Sequence, residues 1–270
     1  MRQAIWFPIL LAFTCGAQES IPAADARPTL DQQTAMLAAM AGYAERYVSN
    51  LPNFVCELTT EQYRSGSKHE HWKKLDALTS QLTFSEGREH FHLQLVNHKP
   101  LRGAYPSFRR PLITEGEFGQ LLQRVFSDSS NASFDWKGWE TLEGRKLAAF
   151  TFNIDREHST LKLSLSDLAS AIVPYQGAVY ADPKTGAVWR ISDIATEIPS
   201  ELRMDEIGTT VDYGQIKIGD SVYLLPVHAT VLMKTDTHYV RNELSFREYR
   251  KFEAESSIKF DSDSSSPQER

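Results

Sequence analysis

Apolar residues first recur at helical spacing, at Met36, Leu37, Met40, Tyr43, Ala44, Tyr47 and Val48, which is the one-sided stripe of an amphipathic helix. Thr29 and Gln32 form a capping box at its start, and Leu51-Pro52 ends the run after about five turns. Beyond Pro52 the period drops to two. Phe54, Cys56 and Leu58 alternate with Glu57, Thr59 and Glu61, as in a strand with one buried face. The run from Leu78 to Val96 predicts a hairpin. Leu82 and Phe84 precede a Glu86-Gly87 turn, Phe91, Leu93 and Leu95 follow it, and His90, His92 and Gln94 take the opposite face.

Alternation returns at Ala148, Phe150, Phe152 and Ile154, and again at Leu161, Leu163 and Leu165. Asp182-Pro183-Lys184-Thr185-Gly186 is a turn by composition, between strands carrying Val179 and Val188. From Val240 to Phe260 the even positions are mainly apolar and the odd ones charged. That length predicts two strands, since one usually runs about 5 to 6 residues. A second helix interrupts the strands in mid-chain. Thr114 and Glu117 form a capping box, and Phe118, Leu121, Leu122, Val125 and Phe126 share one face. Before it, Lys99 to Arg110 is a basic, Pro-interrupted loop.

The chain's first residues belong to a different class. Arg2, the uncharged apolar stretch Ala4 to Phe13 and the small residues Cys15, Gly16 and Ala17 have the layout of a secretory signal peptide. The stretch is half the roughly 20 residues that cross a bilayer as a helix. Positions 1–17 therefore read as a signal peptide cleaved after Ala17, 18–28 as a linker, 29–260 as one β-rich domain and 261–270 as a Ser-rich disordered tail. The expected location is the periplasm or outside the cell, with no transmembrane anchor after cleavage. The alternative is a lipoprotein anchored through Cys15, although Ala12-Phe13-Thr14 departs from the usual residues before a lipidated cysteine.

Charge and cysteine content narrow the function. The net charge of −6 becomes −7 once Arg2 is removed, and an acidic domain is poorly suited to phosphate backbones, so no nucleic acid partner is expected. Cleavage leaves Cys56 without a disulfide partner, as a small buried hydrophobe beside Phe54 and Leu58.

No nucleophile elbow, zincin helix, phosphate-binding Gly loop or Cys-x-x-Cys occurs, and no cofactor is expected. His69 with His71 and His90 with His92 have the two-residue spacing that aims a pair to one face of a strand. They are expected on the solvated face and to hold no metal. The feature with the most functional content is the mid-chain helix. Five large apolar side chains, worth roughly 1.5 to 3 kcal/mol each when buried, cannot stay in water. The helix must dock, either permanently as core or reversibly over a cavity.

The order of elements resembles the half-barrel of the Lol-type periplasmic lipoprotein carriers, and the segment VYADPKTGAVWRI resembles a turn and strand pair common there. The stretches LPNFVC, GEFGQLL, VPYQG, DPKTG, YLLP and FREYRKF, in that order, resemble an uncharacterised group of exported bacterial proteins. The first likeness implies a curved sheet holding a hydrophobic cavity under short helices. The second implies export and a single domain, and supplies neither activity nor site residues.

The fold expected is mainly β with α: a curved antiparallel sheet of roughly ten strands, an open half-barrel, with an N-terminal and a mid-chain helix on its concave face. The expected function is periplasmic binding of an apolar ligand, an acyl chain of a lipid or lipoprotein, held between sheet and helix by Phe91, Leu93, Phe118, Leu121, Leu122, Val125, Phe126, Phe150 and Phe152. The alternatives are an interaction or sensor module binding an envelope protein, and a metal-dependent enzyme using the histidine pairs.

Overall fold

The computed structural model describes residues 26–66, 71–103, 118–165 and 169–252. The segment read as a signal peptide, most of the segment read as a linker, His69, the expected Thr114–Glu117 capping box, most of the expected basic loop and the segment read as a tail lie outside these. The N-terminal helix α1, Leu30–Tyr47, begins as the sequence predicts. Thr29 Oγ1 accepts from the Gln32 N–H, and the Gln32 side chain accepts from the Thr29 N–H at 2.9 Å. Met40, Ala44 and Tyr47 form its buried stripe, and a single turn of 3₁₀ helix, Val48–Asn50, leads into the sheet.

The next four strands are β1 (Phe54–Gly66), β2 (Lys73–Ser85), β3 (Arg88–Val96) and the two-residue β4 (Lys99–Pro100). Glu86 and Gly87 both have positive φ, the requirement of the tight turn that best fits the twist of a hairpin. The mid-chain helix α2, Gln120–Phe126, follows, and then the hairpin β5 (Ser133–Leu142) and β6 (Arg145–Ile154). A small pair, β7 (Lys162–Leu165) and β8 (Ala169–Ile172), precedes β9 (Tyr175–Ala181), β10 (Val188–Ala195), β11 (Glu206–Ile218), β12 (Ser221–Lys234) and β13 (His238–Lys251).

Eleven strands form one curved antiparallel sheet, not closed into a barrel, in the order β4-β3-β2-β1-β13-β12-β11-β10-β9-β6-β5. The two helices complete the open half-barrel expected from the sequence. Eleven strands agree with the roughly ten expected, and one difference concerns the C-terminal run. Within the described residues, His238 to Lys251 is one strand of 14 residues rather than part of two. Its alternation resets at Glu248, whose φ is +54°. Opposite it the register with β1 shifts between Val55 and Glu57. The extra residue brings Tyr249 onto the same buried face as Leu244 and Phe246. A bulge lets one long strand bend and twist with the curved sheet.

The second difference is the Leu161–Leu165 run. Its strand β7 pairs only with β8, in a separate two-stranded sheet. Leu163 packs with Val173, Ala195, Leu202 and Met204 in a satellite cluster. The main cluster is continuous from α1 through α2 to both arms of the large sheet.

The connectivity places α2. β4 is one edge of the eleven-stranded sheet and β5 the other, so the chain between them passes from edge to edge, with α2 on the way.

Candidate functional site

α2 is shorter than the apolar pattern implied. It has seven residues, and Phe118 lies just before it. Its N-cap is Gly119, at φ +112°, and no side chain caps the N-terminus, while the Ser130 hydroxyl donates to the Val125 carbonyl in the last turn at 2.9 Å. A Cβ at Gly119 would lie 2.6 Å from Val48 and 2.7 Å from Tyr47. Only glycine lets the chain enter α2 this close to the end of α1. The Phe118 N–H donates to Glu89 Oε1 at 3.3 Å, which ties the entry to β3.

Phe118 is buried inside a group of aromatic rings. Its ring centroid lies 5.2 Å from Phe54, 5.5 Å from Phe246 and 6.0 Å from Phe84. Leu121, Leu122 and Val125 continue the buried face of the helix. At the other end Phe126 stacks on Phe134 of β5, centroids 5.3 Å apart, and Phe134 leads on to Phe152 and Tyr175. α2 thus touches both arms of the sheet, the β1–β2–β13 side through Phe118 and the β5–β6–β9 side through Phe126.

Of the nine residues expected at the site, eight come together in this cluster. Phe118, Leu121, Leu122, Val125, Phe150 and Phe152 are buried members, and Phe91 and Phe126 pack against it half-buried. Leu93 is half-buried on β3 and is not among the side chains packed on the cluster. The neighbouring His90 and His92 are exposed, with Phe91 and Leu93 on the more buried face. Among the described residues no three His, Cys, Asp or Glu side chains gather as a metal site.

Several parts of the site carried no clear sequence signal. One is Asp193, on the inner face of β10 and 8 % exposed. Burial pushes its carboxyl pKa up, while Arg124 and the Thr209 N–H, which donates to it at 3.2 Å, oppose the rise. Arg124 is on α2. Its Nη2 stands 3.7 Å from Asp193 Oδ2, and its guanidinium lies over the Tyr175 ring at 5.8 Å. Nothing in the local pattern of either segment pairs them, because the contact depends on which face of α2 meets β10.

The other part is open space. Two adjoining clefts flank Phe126 where α1 passes α2, of about 380 and 430 Å³. Leu37, Ala38, Ala41 and Phe134 line the first, and Ala41, Gly42, Glu45 and Gln123 the second. The signal was the run of small residues Ala38, Ala39, Ala41 and Gly42 in α1, which leaves room between two helices that larger side chains would fill.

No protein-family model matches the chain, and no curated protein does. Solved structures similar to it include a LolA superfamily protein from Nitrosomonas europaea, with TM-score 0.41, 8 % identity and coverage of 81 % of this chain and 94 % of that one. Another is described as an outer membrane lipoprotein-sorting protein domain from Vibrio parahaemolyticus (TM-score 0.42, 10 % identity, 82 % and 93 % covered). A third is a DUF1329 family protein from Desulfovibrio piger (TM-score 0.39, 9 % identity, 81 % and 92 % covered). The neighbours thus include the Lol type that the order of elements resembles. At these identities the likeness is one of fold outline alone.

Proposed function

We propose that the protein binds an apolar ligand, such as an acyl chain of a lipid or lipoprotein, between the concave face of the sheet and α2, in the periplasm after export. The observation that carries this reading is the manner in which α2 is held. A seven-residue helix with no side-chain cap at its N-terminus covers an aromatic-lined face that spans both arms of the sheet. Its own Phe118, Leu121, Leu122 and Val125 occupy the place that a ligand would take. A ligand enters by exchanging those contacts for its own, with the clefts beside Phe126 as the opening from which it starts.

The energies permit the exchange. Four buried apolar side chains amount to roughly 6 to 12 kcal/mol, and an acyl chain at about 0.8 kcal/mol per methylene reaches the same range with roughly a dozen carbons. A short helix on a crossover, lacking an N-terminal cap, belongs to the low-stability part of a fold, from which lids are drawn.

The test pairs two measurements on wild type and on variants Phe118→Ala, Leu122→Ala and their double. A fluorescent fatty acid should bind saturably to wild type, with an altered affinity in the double variant. In fixed core the two truncations cost roughly 2 to 5 kcal/mol each, and the double variant loses close to their sum, apart from a coupling of about 0.5 to 3 kcal/mol between neighbours. For a reversible lid the summed loss in denaturant unfolding is capped at the free energy that closes α2, because the open form then takes over. Fully additive losses together with no saturable fatty-acid binding would leave α2 an ordinary core helix.

A further inference from the structure

Far from the helices, a second concave site lies where three strand ends meet. The last residues of β1, the first of β2 and the turn between β12 and β13 enclose a pocket of about 410 Å³. The register brings Arg64 directly opposite Lys73, and Gly66 opposite His238. His71 and Thr237 complete the polar wall, and Leu75, 47 % exposed, supplies an apolar one.

The charges here are unpaired among the described residues. Like charges directly opposite on neighbouring strands destabilise a sheet, yet neither Arg64 nor Lys73 makes an ion pair among those residues. The adjacent Lys74 does, with Glu61 at 2.6 Å. Ser65, between Arg64 and Gly66, belongs to the opposite face of β1 and is only 3 % exposed, so its hydroxyl takes no part in the pocket. Two cations and two imidazoles therefore converge on one pocket of an acidic protein.

We infer that this pocket binds a phosphomonoester, its phosphate held by Arg64 and Lys73 and its organic group against Leu75. A dianion with three acceptor oxygens matches this set of donors better than a singly charged carboxylate does. His238 adds a pH dependence. Its Nδ1 lies 3.0 Å from Thr235 Oγ1 and 2.9 Å from Thr237 Oγ1. The Thr235 hydroxyl donates to the His238 carbonyl at 3.0 Å and so accepts from Nδ1–H. Nε2 then donates only when the ring is protonated. Burial and the nearby Arg64 lower the His238 pKa, and Asp236 opposes them; His71 and Lys73 are the other charged or titratable groups lining the pocket. A bound dianion reverses the balance and draws a proton onto the ring.

Phenyl phosphate titrated calorimetrically into the mature protein should bind saturably, and more tightly at pH 6.5 than at pH 8, because the His238 ring takes up its proton more readily there while the ester, with a second pKa of about 6, is still mostly a dianion. Arg64→Gln and Lys73→Gln should each weaken binding about tenfold, the loss of one charge-assisted hydrogen bond. Lys74→Gln, whose native side chain is already paired, should leave it unchanged. The His238 ring protons should report a pKa raised by the ligand, which a merely structural imidazole would not show. Co-sedimentation with phosphatidylcholine vesicles, with and without an equal part of phosphatidic acid, separates the sources. Binding of the acidic vesicles that depends on Arg64 and Lys73 assigns a lipid headgroup, and binding of phenyl phosphate alone a soluble ester. No saturable binding in either arm overturns the inference, as does an equal loss in Lys74→Gln. The fatty-acid measurement at α2 is independent of both outcomes.

Discussion

α1 and α2 pack on the same face of the same sheet and are held in opposite ways. α1 has 18 residues, a reciprocal capping box and hydrogen bonds that reach across the fold, such as the Tyr47 hydroxyl donating to the Leu224 carbonyl at 2.8 Å. The Asp182–Gly186 turn closes directly on its backbone. A Cβ at Gly186 would lie 2.2 Å from the Ala39 carbonyl. α2 has seven residues and no side-chain cap at its N-terminus; its directional ties are the Ser130 and Tyr175 hydroxyls, which donate to the Val125 and Arg124 carbonyls at 2.9 and 3.4 Å, and a long Arg124–Asp193 pair. Burial of apolar area is thus common to both helices, and the reciprocal capping and the close docking of a turn on the backbone are what α1 adds. Apolar contacts can be exchanged for those of a ligand, whereas capping and backbone docking cannot.

The largest effect that would sharpen this contrast is expected at Gly186. Its φ of +71° costs an alanine about 1 to 2 kcal/mol, and displacing the α1 backbone, which a Cβ would meet at 2.2 Å, adds more, so Gly186→Ala should lose upwards of about 5 kcal/mol in denaturant unfolding. Next comes a paired comparison. Met40→Ala in α1 should lower global stability by roughly 2 to 5 kcal/mol without exposing the face beneath α2. Leu122→Ala should instead speed labelling of Cys56, which lies beside Tyr249 and the rings around Phe118. Burial pushes the Cys56 thiol up to about 12, so in wild type labelling requires opening. Because the folded pKa is raised, this contribution to stability is complete below about pH 9 and is lost as pH rises towards 12. Equal labelling rates in the two variants would break the distinction between the helices. The smallest effect is Thr29→Ala, which removes one capping partner and should cost about 1 kcal/mol, read as a lower thermal midpoint.

What was legible in the sequence follows the same division. Local signals survived intact. The Thr29–Gln32 box, the Glu86-Gly87 turn, the Asp182–Gly186 turn and the alternation that buries Phe54, Cys56 and Leu58 need only neighbouring residues to be recognised. The apolar face of α2 was visible for the same reason. Its length was not, because Phe118 continues the stripe although the helix begins only at Gln120. The bulge at Glu248 was invisible, since it is set by the register with β1, nearly two hundred residues away. So was the Arg64–Lys73 juxtaposition, which is a fact of pairing and not of either strand.

That same pairing has a kinetic consequence. The seam between β1 and β13 lies inside the sheet, where Leu58 meets Phe246, so the two arms can each form hairpins early while their junction waits for the last strand. Closing a loop of that length costs conformational entropy before any contact across it compensates, and folds dominated by such contacts are slow. The concave face therefore exists only once the chain is complete. Until then its aromatic residues are divided between two half-sheets, neither of which can present a finished binding surface.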